Sequence, residues 1–159
     1  MTQKVGLGGG CHWCTEGIFQ SLKGVSRVDQ GWIKSSGNHT SYSEAVIVHF
    51  NPEVISLEVL IEIHLLTHSS QSQHSLRTKY RSAVYTFGNG QASRIRLIIE
   101  QLQKKNRSFV TKVIPFVDFK LNKEEFLNYY QKRKDSPFCE KYISPKLQQL
   151  LKTHSQYLK

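Results

Sequence analysis

The apolar positions of this chain change period several times, and each change marks an element. Lys4–Leu7 is a short apolar run ending in Gly8-Gly9-Gly10, which reads as a strand running into a glycine turn. From Trp13 to Leu22 the apolar residues Ile18, Phe19 and Leu22 share one helical face, and Gly24 stops the pattern. Val25–Ile33 predicts a strand, irregular around Asp29–Gly31, followed by a polar loop over Lys34–Ser43. Glu44–Phe50 is almost continuously apolar, the pattern of a strand buried on both faces. Asn51-Pro52 turns the chain, and Ser56 is placed to cap a helix carrying Leu57, Leu60, Ile61 and Leu65.

A polar stretch, Thr67–Lys79, leads into a predicted strand over Tyr80–Phe87, closed by Gly88-Asn89-Gly90. Gln91–Asn106 carries the helical stripe Ala92, Ile95, Ile99 and Leu102. Phe109–Val117 predicts a further strand, Asn122 a cap for a helix over Lys123–Arg133, and Pro145–Tyr157 a last helix. The order β-α-β-β-α-β, then α-β and a tail, predicts an α/β (α+β) fold. It is a two-layer split β-α-β (ferredoxin-like) sandwich with a mixed sheet and a helical or coil C-terminal tail. No repeat or linker interrupts it, so residues 1–159 read as one domain.

Composition narrows the function without naming it. A chain of 159 residues, 38% hydrophobic and 21% charged, is an ordinary globular sequence. It has no membrane-length apolar run and no hydrophobic signal region, so a cytoplasmic protein without a membrane partner is expected. Three cysteines are too few, and odd in number, for a disulfide scaffold. The net charge of +10 gathers at Arg94/Arg96, Lys104/Lys105/Arg107 and Lys132/Arg133/Lys134. Those runs are short and lack interleaved aromatics, so they read as solvated helix faces; no nucleic-acid partner is expected, and a monomer is.

The chemistry concentrates at Gly8-Gly9-Gly10-Cys11-His12-Trp13-Cys14. A cysteine between a strand and a helix sits at a helix N-terminus, where backbone N–H groups and the dipole favour the thiolate nucleophile. Cys11 and Cys14 also form a Cys-x-x-Cys, which leaves a thioredoxin-like thiol-disulfide oxidoreductase open. A basic binding module without activity is the other alternative. A zinc site using His64 and His68 lacks a second Cys-x-x-Cys, so no metal is expected.

This motif, continued in Glu16 and Gly17-Ile18-Phe19-Gln20, resembles the peptide methionine sulfoxide reductase type A family. The resemblance extends through Ser43-Glu44-Ala45-Val46, Phe50-Asn51-Pro52, Thr78-Lys79-Tyr80-Arg81-Ser82-Ala83-Val84, Pro137-Phe138-Cys139 and Ile143-Ser144-Pro145-Lys146-Leu147. It implies reduction of methionine S-sulfoxide, free or in proteins, with Cys11 as nucleophile and Glu44 as the acid that protonates the departing oxygen. It further implies Tyr80 as a donor to that oxygen, Trp13 as an apolar wall, and Cys139 as the thiol that resolves the sulfenic acid. Cys14 is the other candidate resolver. No cofactor is implied beyond a thioredoxin-like reductant or dithiothreitol. The chain departs from the family at His12 (usually Phe), Cys14 (usually Gly), Trp32 (usually Tyr), Ser75 (usually Asp) and Leu127-Asn128 (usually His-Gln). His12 and Trp32 are therefore expected, with Trp13, to line the substrate site of a divergent branch.

Overall fold

Alternation along β1 (Gln3–Gly8) and β3 (Ser43–Phe50) puts Val5, Leu7, Val46, Val48 and Phe50 on one side of a sheet, where all are fully buried. They meet Ile18 and Phe19 of α1 (His12–Gln20) and Leu60 and Ile61 of α2 (Leu57–Thr67) in the principal core. In this computed structural model, which describes residues 2–68, 81–104 and 109–159, every residue of β3 except His49 is buried, as its apolar run predicts. Ser56 caps α2 by accepting from the Val59 N–H at 3.2 Å.

β2 (Val25–Lys34) and β4 (Ala83–Thr86) complete the central strand order β4-β1-β3-β2, antiparallel throughout. That is the predicted split β-α-β arrangement. α3 (Asn89–Gln103) then carries the chain to β5 (Lys112–Pro115), parallel to β4, while β6 (Asp118–Leu121) pairs antiparallel with β2 at the opposite edge. Only Phe116 and Val117 join these two edges, a reach of about 11 Å at most, so the six-stranded sheet must curl until its edges meet. The Val117 N–H donates to the Lys34 carbonyl at 3.1 Å and the Phe116 N–H to Thr86 at 3.0 Å, stitching the seam. Inside the curl lies a second cluster built on Ile33, Ala45, Ile47, Ala83 and Tyr85.

Two predictions fail beyond β5. The expected strand over Phe109–Val117 is really β5, with β6 following it after a two-residue joint. The apolar run through Val117 hides a register change that only the opposite edge imposes. The expected helix over Lys123–Arg133 breaks into a 3-10 turn, Glu124–Phe126, and a single α-turn, α4 (Tyr129–Lys132). Asn128 stands between them at φ 57°, a left-handed conformation that asparagine tolerates and that no helix continues through. A π-turn, Cys139–Ile143, leads into α5 (Ser144–Thr153). No helix among the described residues is long and apolar enough to cross a membrane.

Candidate active site

The glycine run does specific work at Gly9. Its φ of 146° belongs to glycine, and a Cβ there would overlap the His68 ring. His64 Nε2 donates to the Gly8 carbonyl at 2.9 Å, and the His64 and His68 rings stack with centroids 4.1 Å apart. The strand-to-helix turn is thus held from behind, and Cys11 becomes the N-cap of α1. Its carbonyl accepts from the Cys14 N–H at 3.1 Å and the Thr15 N–H at 3.2 Å.

Cys11 is half-buried and its thiol is held below the ordinary range. The main cause is a hydrogen bond from the Cys14 side chain; the Trp13 and Cys14 backbone N–H groups add to it, while burial and the Glu44 carboxylate oppose it. The same hydrogen bond, with burial, pushes the Cys14 thiol far up, so Cys14 stays protonated as the donor. Spacing of three residues in the first turn brings the two sulfurs together.

Glu44, 7% exposed, reaches the same turn from β3: its Oε1 accepts from the His12 N–H at 3.2 Å. The His12 ring, 4% exposed, donates from Nδ1 to the Gly31 carbonyl at 2.6 Å, and its Nε2 stands 3.4 Å from Glu44 Oε1. A Cβ on Gly31 would collide with the Lys120 carbonyl, so glycine here lets β6 close beside the ring. Trp32 meets His12 edge-on at 5.1 Å. Asn122 Nδ2 donates to Gln30 Oε1 at 2.6 Å and lies 3.4 Å from His12 Nε2; Gln30 Nε2 donates to the Phe126 carbonyl at 2.9 Å.

Trp13 stacks on Tyr129 (centroids 4.3 Å, planes 8° apart) and on Phe126 (5.6 Å, 19°), with Phe138 edge-on. Its buried Nε1 has no hydrogen-bond partner, so it presents aromatic surface only. His12, Trp13, Trp32, Glu44 and Phe126 line an open cleft of about 530 Å³, with Lys120 and Lys123 at its border. Aromatic walls and a carboxyl group around the cleft, with the Cys11 thiol at the adjoining helix end, suit a small thioether-like group carrying a polar oxygen.

The fold therefore brings together Cys11, His12, Trp13, Trp32 and Glu44. Tyr80 and Ser75 lie outside the described residues. Cys139 is fully buried in a cluster with Cys14, Tyr129 and Ile143, against which Cys11 and Trp13 pack. It sits on the π-turn that leads into α5. Sequence reasoning missed Asn122 as a member of the buried polar group, reading it as a helix cap, and missed Phe126 and Tyr129 as walls. Their aromatic character was the available signal, but helical periodicity absorbed it.

Comparisons with known proteins place the chain in a family and its fold. A family model described as peptide methionine sulfoxide reductase matches residues 3–158. A peptide methionine sulfoxide reductase MsrA of Psychrobacter sp. (strain PRwf-1) is 32% identical, with 98% of each chain covered. Among solved structures, Mxr1 from Saccharomyces cerevisiae in reduced form matches with a TM-score of 0.75 at 22% identity, covering 89% of this chain and 91% of that one. The same protein in complex with Trx2 matches with a TM-score of 0.64 at 20% identity, covering 79% of this chain and 84% of that one.

Proposed function

The chain belongs to the peptide methionine sulfoxide reductase family, whose reaction is reduction of methionine sulfoxide to methionine, and from that premise we propose which of its own residues carry the steps. The Cys11 thiolate attacks the sulfoxide sulfur. One proton goes to the oxygen, and the resulting hydroxyl passes from the substrate sulfur to the Cys11 sulfur as the substrate S–O bond and the transient S–S bond break, so methionine leaves as the thioether and Cys11 is left as a sulfenic acid. The substrate sulfur gains the two electrons that Cys11 loses. The observation that carries this reading is the placement of Cys11 as the N-cap of α1 beside Cys14, with the Glu44 carboxyl bonded to the next residue of the same turn. Glu44 delivers the proton to oxygen, and Tyr80 donates a hydrogen bond to the same oxygen. Trp13, with Phe126 beside it, takes the S-methyl group, while Trp32 and His12 close the polar side of the cleft.

The sulfenic acid condenses with a thiol to give a disulfide and water. The proximity that lets Cys14 hydrogen-bond Cys11 favours Cys14 as the first thiol to react, because once Cys11 is a sulfenic acid the thiolate that held the Cys14 proton is gone. Cys139, packed in the cluster with Cys14, then receives the disulfide by exchange and frees Cys11. A thioredoxin-like dithiol reduces the product; the Mxr1 relative has been solved with Trx2, and dithiothreitol would substitute. The three thiols are free, as suits a reducing cytoplasm. All the proposed groups come from one chain, so a monomeric single domain suffices.

The test is turnover of a peptide containing methionine S-sulfoxide, with dithiothreitol as reductant. Wild type should remove the oxygen and Cys11→Ser should not; full turnover by Cys11→Ser would remove Cys11 as nucleophile. Peptide mass mapping after one equivalent of substrate, without reductant, reads the disulfide. Cys139→Ser should accumulate Cys11–Cys14. A Cys14→Ser protein that still forms Cys11–Cys139 at the wild-type rate would return the resolving role to Cys139 alone.

A further inference from the structure

The proton chemistry of this site includes a group that the roles above leave unused. His12 is bolted at one end and poised at the other. The Gly31 carbonyl can only accept, so the 2.6 Å contact fixes a proton on Nδ1. The exchangeable position is therefore Nε2, and it has two neighbours at equal distance. Asn122 Nδ2, at 3.4 Å, is a donor that suits the bare nitrogen. Glu44 Oε1, also at 3.4 Å, is an acceptor that suits the protonated one.

We propose that Glu44 and His12 act as a single proton-holding unit, in which His12 Nε2 recharges the carboxyl that protonates the sulfoxide oxygen. This rests on the assignment of Glu44 as donor. The movement of charge is balanced. Glu44 gives its proton to the oxygen of the sulfoxide, Nε2 passes its proton to Glu44 Oε1, and the neutral imidazole takes one from solvent through the cleft. No oxidant or reductant enters these transfers.

Two features make the exchange workable. Both side chains are buried, which penalises the charge-separated state and brings the neutral pair close to it in energy. Asn122 is held in place by Gln30, itself tied to the Phe126 carbonyl, so the donor that receives the deprotonated Nε2 does not wander. Charged and titratable groups around the pair include Cys11 at the same helix end, Glu16, which is hydrogen-bonded to Gln30 behind Asn122, and Lys120 and Lys123 across the cleft; Gln30, Asn122 and Trp32 are neutral. Both lysines are cations and so oppose, rather than create, the extra proton.

The experiment is the pH profile of single-turnover oxygen loss, measured in wild type, His12→Phe, His12→Gln and Glu44→Gln. The rising limb belongs to Cys11 and is followed separately by alkylation. The falling limb belongs to the pair, and in both His12 variants it should move to lower pH than in wild type. Glutamine keeps a donor for Gly31 but holds no exchangeable charge, so it separates proton storage from packing. His12→Phe restores the residue usual in the family. A falling limb that stays in place in both variants overturns the unit while leaving Glu44 as donor. An unchanged rate in Glu44→Gln overturns both. An NMR titration of the His12 ring, expected to shift downward in Glu44→Gln, checks the coupling without turnover.

Discussion

Cys14 changes meaning once its side chain is placed. A cysteine where relatives carry glycine looks neutral on paper, but three residues after Cys11 it shares the first turn of α1 and donates to the nucleophile. Since the bond lowers Cys11, the thiolate persists to lower pH with Cys14 than without it. Comparing Cys139→Ser with Cys14→Ala/Cys139→Ser, the iodoacetamide reaction of Cys11 should shift to higher pH in the variant without Cys14. An unmoved profile would hand the low value to the backbone N–H groups of the helix end. The sequence shows that Cys11 and Cys14 are three apart; their mutual orientation depends on the Gly9 turn behind them.

At the level of elements, the segment after β6 is held by one buried carboxylate. Glu16, 1% exposed on α1, accepts from the Asn128 N–H at 2.9 Å and the Tyr129 N–H at 3.1 Å. It thereby fixes the left-handed Asn128 and the start of α4, and with them the Tyr129 ring that stacks on Trp13. Glu16→Ala strands both N–H groups and should cost about 1–3 kcal/mol, read from urea midpoints, with loss of near-ultraviolet ellipticity from the Trp13 stack. Burial, opposed by these two bonds, raises the Glu16 pKa. A raised folded-state pKa means that its favourable contribution is complete below the unfolded carboxylate range and is lost as pH rises through the folded value. Wild-type stability should therefore decline over a window starting near pH 4 and extending above it, and Glu16→Gln should flatten that slope. The failed helix over Lys123–Arg133 has the same origin. Its local pattern is helical, but Glu16 binds the backbone where Asn128 breaks it.

For the molecule as a whole, the last residues close over the principal core. Leu22 bridges to Leu158, the Lys23 N–H donates to the Tyr157 carbonyl at 2.6 Å, and Tyr157 and Leu158 pack against the principal cluster. Deleting residues 155–159 should cost about 2 kcal/mol, the order expected for partial burial of two large apolar side chains, and lower the melting midpoint by several degrees. The reading of the chain as one domain predicts that far-ultraviolet ellipticity and tryptophan fluorescence lose structure in a single coincident transition. Separate transitions for residues before and after β6 would contradict that reading.

What the sequence determined by itself is local: the order of strands and helices through α3, the Ser56 cap, the doubly buried β3, and a nucleophilic cysteine between a strand and a helix. Near neighbours encode these through period, capping and turn chemistry, and a motif that spans a few residues carries the family with them. Tertiary structure alone decided the rest. The meeting of Asn122 with Gln30 and His12, the grip of Glu16 on residues 112 and 113 positions away, the burial of Cys139, and the closing of β6 on β2 are all contacts between distant segments. No local pattern records such pairings, because each partner alone satisfies its own stretch of chain equally well as a cap, a turn or a solvated side chain.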